Sequence, residues 1–121
     1  MKETREAILV VDDDPGILDS FDAMFGEDYP LVLMDSGREA LQRLTEESFK
    51  LLFLDIKMPG LNGLELLRWI REQNLAIKVV IVTALPQAGY EELAHQYGVY
   101  RYVKKPFDVV ELEDIAKTVF H

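Results

Sequence analysis

The chain has 121 residues, 49% of them apolar and 29% charged, which leaves room for one soluble domain around one hydrophobic core. Its 13 basic and 22 acidic residues give a net charge of −9 with no basic patch, which disfavours direct binding to nucleic acid. The absence of cysteine excludes disulfides and thiolate metal sites.

The first residues, Met1 to Glu6, lack the apolar core of a signal peptide. Nor does any apolar run approach the length of a bilayer-spanning helix, so a cytoplasmic location without membrane contact is expected. Ile8 to Val11 forms a continuously apolar, β-branched run, as expected for a parallel strand buried on both faces. Asp14-Pro15 then suits an N-cap followed by the first helical position, and Ile17, Phe21, Met24 and Phe25 fall on one helical face. Leu31 to Met34 is a flanking strand. Ser36 with Glu39 has capping-box spacing for the second helix. Leu51 to Leu54 is the third strand, and Asn62 with Glu65 opens the third helix in the same way. Val79 to Val82 is the fourth strand. Tyr90, Leu93, Ala94 and Tyr97 share a helical face, with Gly98 as its stop. Tyr100 to Val103 is polar enough for an edge strand, and Asp108 opens a fifth helix carrying Leu112, Ile115, Ala116 and Val119 on one face. Five strand–helix units with short connections imply an α/β domain with a parallel sheet and helices on both faces. Alternation alone leaves the strand order open among the doubly wound variants.

In open α/β sheets, chemistry gathers beyond the carboxyl ends of the strands. Four strands here end in a charged or reactive residue: the first in Asp12-Asp13-Asp14, the third in Asp55, the fourth in Thr83, and the fifth in Lys104-Lys105-Pro106. Each alone has a bland reading as a cap, a strand threonine or an edge lysine; four at one sheet edge do not. Asp12, Asp13 and Asp55 would put three carboxylates in one cleft, which demands a counter-ion. Such hard oxygen donors suit Mg²⁺. With the Lys105 ammonium and the Thr83 hydroxyl, the set suits phosphoryl transfer onto a carboxylate, where positioning and charge neutralisation do most of the work. No Gly-x-x-x-x-Gly-Lys or Gly-x-Gly-x-x-Gly loop follows the first strand, so a bound nucleotide is not expected. His95 lies within a helical pattern and His121 is the last residue, so neither is placed as the base of a hydrolytic triad.

The stretches Ile8 to Pro15, Leu54 to Gly63, Val82-Thr83-Ala84 and Tyr102 to Phe107 together resemble the receiver domain of two-component response regulators, over essentially the whole chain. That resemblance implies a flavodoxin-like doubly wound sheet of five parallel strands in the order 2-1-3-4-5, the chemotaxis receiver being a known example. It makes Asp55 the phosphoacceptor, and Mg²⁺ the ion held by Asp13, Asp55 and the backbone carbonyl of Lys57, with Asp12 acting through water. By the same likeness Lys105 contacts the phosphoryl group beside a solvated Lys104, and Thr83 and Tyr102 form the switch pair. The Lys105–Pro106 bond resembles one that is usually cis. Lys57 and Leu85 occupy positions that tune access of hydrolytic water, and their side chains imply slow self-dephosphorylation. The implied donor is a sensor histidine kinase or a phosphotransfer protein. The implied readout is the face formed by the fourth helix, fifth strand and fifth helix, where Tyr90, Tyr97, Tyr100 and Tyr102 would form a partner surface.

Residues 1–121 are thus expected to hold a single receiver domain and no output domain. A stand-alone regulator and a receiver of a longer parent chain both fit, the target being a separate protein or an attached output domain. Phosphorylation-dependent homodimerisation stays open, although the arginines of one symmetric receiver dimer are missing from the fifth helix. An aspartyl-intermediate phosphatase would need an acid two residues after Asp55, where this chain has Lys57, so a signalling phosphoacceptor rather than an enzyme is expected. A pseudo-receiver would have lost an acidic-pocket residue, and none is lost. A flavin site after the first strand would place phosphate against Asp12-Asp13-Asp14.

Overall fold

The computed structural model describes residues 4–85 and 87–121. The elements run β1 (Thr4–Val11), α1 (Pro15–Phe25), β2 (Leu31–Met34), α2 (Gly37–Glu46), β3 (Ser48–Leu54), α3 (Gly63–Glu72), β4 (Lys78–Thr83), α4 (Gln87–Gln96), β5 (Arg101–Lys104) and α5 (Val109–Phe120). All five strands are parallel, in the order β2-β1-β3-β4-β5. The chain therefore reverses direction of travel across the sheet between β1 and β3, and the crevice at their carboxyl ends is where such folds place their chemistry.

Alternation along the strands splits the core into two layers. Leu9, Val11, Leu52, Leu54, Val79 and Ile81 pack with Ala40, Leu44, Leu66, Leu67, Ile70 and Ala94, which places α2, α3 and α4 over one face. Ile8, Val10, Leu51, Phe53, Val80 and Val82 pack with Phe21, Phe25, Leu112, Ile115 and Ala116, which places α1 and α5 over the other. Phe21, Phe25 and Phe53 form a ring cluster with centroids 5.0–6.1 Å apart in that second layer. Burial at about 25 cal/mol per Å² makes these layers the main driving force of folding.

The helix starts follow the capping chemistry read from the sequence. Asp14 caps α1 by accepting from the Gly16 N–H, with Pro15 at the first position. Ser36 accepts from Glu39 N–H, and Asn62 accepts from Glu65 N–H while its amide donates to the Glu65 carboxylate. Asp108 caps α5 through Val110 N–H.

Several boundaries and faces differ from expectation. β1, β3 and β4 are longer than their apolar centres, because Thr4, Ser48 and Lys78 add ladder pairs beyond the core. β5 begins at Arg101 rather than Tyr100. On α4, Ala94 is fully buried, but Tyr90 and Leu93 remain 38% and 36% exposed; Tyr97, just past its end, is half-buried. The four tyrosines do not form one surface: Tyr97 and Tyr102 lean into the layer under α4, and Tyr100 into the opposite one. The reason is that Tyr100 precedes β5 and falls outside its alternation, which sets only Tyr102 and Val103 on opposite faces.

Candidate functional site

Asp12, Asp55 and Thr83 are the buried polar residues among those described, and all sit at the carboxyl ends of adjacent strands. The sheet sets their spacing. Asp12 N–H donates to the Met34 carbonyl and Asp55 N–H to the Val11 carbonyl, so each residue is the last rung of its ladder. Lys105 N–H donates to the Thr83 carbonyl at 2.8 Å, which brings the lysine alongside β4. The Lys105–Pro106 peptide is cis.

One carboxylate oxygen from each of Asp12, Asp13 and Asp55 lies within 4.8 Å of the others, with Asp13 exposed and its two companions buried. Lys105 Nζ donates to Asp12 Oδ2 at 2.6 Å and to Asp55 Oδ2 at 3.0 Å. The second oxygen of Asp55 accepts from Lys57 N–H at 3.1 Å, and Asp12 Oδ1 accepts from Asp14 N–H at 2.9 Å. Thr83 Oγ1 accepts from Leu85 N–H at 3.3 Å. These groups, with Ala84 and Leu85, line an open cleft of about 340 Å³. Every site residue singled out from the sequence lines this cleft except Tyr102, which stands behind it on β5. Lys57 and Leu85 are both at its rim; Lys104 is exposed outside it.

The electrostatics follow from burial. Desolvation raises the Asp12 pKa above its ordinary value, and the repulsion of Asp55 adds to this, against the lowering effect of the Lys105 and Asp14 hydrogen bonds. For Lys105, burial disfavours the ammonium, but the bonds to Asp12 and Asp55 outweigh it and raise its pKa. Three carboxylates against one ammonium leave two negative charges, the complement of one divalent cation. Oxygen donors only, two of them buried and one exposed, fit a hard ion such as Mg²⁺ that keeps part of its water.

Tyr102 is half-buried, and its hydroxyl is buried without a hydrogen-bond partner among the described residues. Burial raises its pKa, with the negative charges of Glu91 and Asp55 acting in the same direction.

The family model of the response regulator receiver domain matches residues 8–117. The chain belongs to that family. A receiver domain 34% identical over 93% of this chain is the sporulation initiation phosphotransferase F of Bacillus subtilis, of which the match covers 92%. The DNA-binding transcriptional regulator NtrC of Klebsiella pneumoniae is 36% identical over 84% of this chain, yet the chain spans only 22% of that protein's length. Among solved structures, the receiver domain of the Francisella response regulator 1452 superposes with a TM-score of 0.88 at 28% identity, covering 96% and 97% of the two chains. A response regulator receiver domain protein from Methanospirillum hungatei reaches 0.87 at 30% identity, covering 95% and 94%. The receiver fold, in strand order 2-1-3-4-5, is therefore this chain's fold. Its family role is signalling in two-component systems, and no helix among the described residues is long and apolar enough to cross a membrane.

Two features of the receiver site had no signal in the sequence. The closer partner of Lys105 is Asp12, 93 residues away, and not Asp55. Gly63, the first residue of α3, packs so tightly that a Cβ there would collide with the Asp55 carbonyl oxygen, while its N–H donates to Ile56 at 3.0 Å.

Proposed function

We propose that this receiver accepts a phosphoryl group on Asp55 from the phosphohistidine of a sensor kinase or phosphotransfer protein. A carboxylate oxygen of Asp55 forms the new O–P bond as the N–P bond of the donor breaks, and the electron pair of that bond returns to the imidazole. Asp12, Asp13, Asp55 and the Lys57 carbonyl are the residues that would hold Mg²⁺, which when bound neutralises charge on the phosphoryl oxygens. Lys57 N–H keeps the Asp55 carboxylate oriented. The Lys105 ammonium, already between Asp12 and Asp55, is placed to follow a phosphoryl oxygen. The observation that carries this reading is the pair of uncompensated negative charges around a buried carboxylate in an open cleft.

Phosphorylation adds acceptor oxygens beside the Thr83 hydroxyl, and Thr83 moving toward them makes room for the Tyr102 ring. The output is a population shift of the α4–β5–α5 face toward binding a downstream protein, an output domain of a longer parent chain, or a second copy. The role is that of a cytoplasmic signalling phosphoacceptor without turnover of an external substrate. Lys57 and Leu85 at the cleft rim shield the acyl phosphate, so self-dephosphorylation is slow; a lifetime of seconds in Mg²⁺ buffer would overturn this part.

Intact mass after incubation with acetyl phosphate and Mg²⁺ tests the core of the proposal. A gain of one phosphoryl group by the wild type and none by Asp55→Asn is expected. No gain by a wild type that binds Mg²⁺ would leave a constitutive binding module.

A further inference from the structure

At the amino ends of β4 and β5, on the edge of the sheet away from Asp55, lies a groove of about 490 Å³. Its walls include Arg71, Lys78, Ile77, Val99 and Tyr100, and no carboxylate. Arg101, the first residue of β5, borders it through the same tyrosine: its guanidinium lies 4.7 Å from the Tyr100 ring centroid, and Lys78 Nζ lies 5.4 Å from it. In a chain of net charge −9, two cations thus flank one aromatic ring, with Arg71 on the wall of the same groove. Arg43, Lys50, Arg68 and Lys105 each pair with a carboxylate, whereas Arg71, Lys78 and Arg101, like Arg38, Lys57, Lys104 and Lys117, form no ion pair within 4 Å among the described residues; Arg101 also lines a neighbouring cleft that carries Asp108, Glu111 and Asp114. Positions 71, 78 and 101 are scattered along the chain, which is why the sequence shows no basic patch.

The groove is also rigidly built. Arg71 donates to the carbonyls of Tyr97 at 2.8 Å, Ile77 at 3.2 Å, Leu75 at 3.3 Å and Gly98 at 3.4 Å, which ties the α3–β4 connection to the α4–β5 connection. Arg101 donates to the Tyr100 carbonyl while stacking on its ring. Cations held in place by an aromatic face lose less freedom on meeting an anion than solvated lysines do. Because β5 is the outermost strand, the groove adjoins a sheet edge with only one ladder partner, a place where an extended segment can lie.

We infer that this groove docks an extended acidic segment of a partner protein, its carboxylates meeting Lys78 and Arg101 and its aliphatic side chains meeting Ile77, Val99 and Tyr100. The charge of Arg71 adds to the attraction, although its donors are already engaged. Nucleic acid is the poorer fit, because three cations on a chain of charge −9 cannot offset the repulsion of a phosphate backbone. The contact does not use Asp55. It lies roughly 17 Å from the Thr83 end of β4 by strand rise, so it is an anchor available to the unphosphorylated protein.

The test is a titration of ¹⁵N-labelled, unphosphorylated protein with a short acetylated peptide of Glu, Asp and Leu, with its Gln and Asn counterpart as control. Amide shifts at Lys78 and from Gly98 to Arg101 are expected with the acidic peptide alone, weakening as salt is raised. Lys78→Glu with Arg101→Glu should weaken binding about tenfold or more, the equivalent of two exposed charge contacts. The milder Lys78→Gln with Arg101→Gln should show the same direction, and Lys104→Glu should change nothing. Equal binding of the neutral peptide, shifts confined to the Asp55 cleft, no shifts at all, or equal weakening by Lys104→Glu would overturn the inference. Inorganic phosphate producing the same shifts at similar concentration would replace it with a small-anion site. Tighter binding of an oligodeoxythymidine would replace it with nucleic acid.

Discussion

Lys105 Nζ stands 2.6 Å from Asp12 Oδ2 and 3.0 Å from Asp55 Oδ2, so the lysine bridges the two buried carboxylates instead of belonging to either. Its single charge is shared between two buried carboxylates with a third at the rim. A divalent cation entering the cleft would therefore share the charge of the same carboxylates with the ammonium. Removing the ammonium by Lys105→Ala should tighten Mg²⁺ binding measured by calorimetry while slowing phosphorylation by acetyl phosphate. Without Mg²⁺ the same variant should lose roughly 1–3 kcal/mol of stability, the range for a lost charged hydrogen bond at a buried partner. Unchanged Mg²⁺ affinity would show that the ammonium and the ion do not compete.

Asp12 gives a pH signature of the same cluster. Burial raises its folded-state pKa above the ordinary aspartate value, so its ionised form is destabilised by folding at neutral pH. The contribution of its protonation is fully present below the unfolded pKa and is lost as pH rises through the folded one. Asp12→Asn should therefore raise the Tm at pH 7 in the absence of Mg²⁺, and the gain should shrink as pH falls toward 4. Lys105 has the matching alkaline limb. Its folded pKa is raised above 10.5, so its contribution is intact below that pH and is lost above it. A Tm difference between Asp12→Asn and wild type that grows on acidification would contradict the assignment.

Gly63 shows how backbone packing supports the segment that follows Asp55. A methyl group there meets the Asp55 carbonyl oxygen and the Ile56 Cα, both backbone atoms that cannot swing away. Gly63→Ala should cost about 2–4 kcal/mol in urea unfolding, as for other forced clashes in a packed interior, and should slow phosphorylation by displacing the loop that follows Asp55. A loss within about 0.5 kcal/mol, the range of an ordinary surface change, would mean that the loop relaxes freely.

Much of the fold was legible because its determinants are local. The unbroken apolar runs around Val10, Phe53 and Val80 marked strands buried on both sides, and Asp14-Pro15, Ser36 and Asn62 marked helix starts by their own side chains. Strand order came with the family resemblance, since alternation of elements carries no record of which strand neighbours which. The site residues were legible as strand ends; their pairing was not. The choice of Asp12 over Asp55 by Lys105 depends on how far β5 lies along β4, a tertiary register. Arg71 was invisible for the same reason: its partners are carbonyls at positions 75, 77, 97 and 98, and any residue offers a carbonyl. Helical spacing gave Tyr90, Leu93 and Ala94 one shared face without saying how much of that face the sheet covers, and only Ala94 of the three is buried.

Tyr102 supplies the last expectation. Its hydroxyl is buried and makes no hydrogen bond among the described residues, a condition that costs about 1–3 kcal/mol relative to a satisfied or absent hydroxyl. The ring itself packs against the layer beneath α4, so its apolar contacts are retained in phenylalanine. Tyr102→Phe should consequently leave the unphosphorylated domain as stable as wild type or more stable by up to about 1 kcal/mol, measured by urea unfolding. Deprotonating the buried hydroxyl is opposed by burial and by Glu91, so the wild type should also lose stability above pH 10 in excess of the variant. A clear loss of stability in Tyr102→Phe would mean that the hydroxyl is bonded in solution, to water or to Glu91, and that its orphaned state is not the resting one.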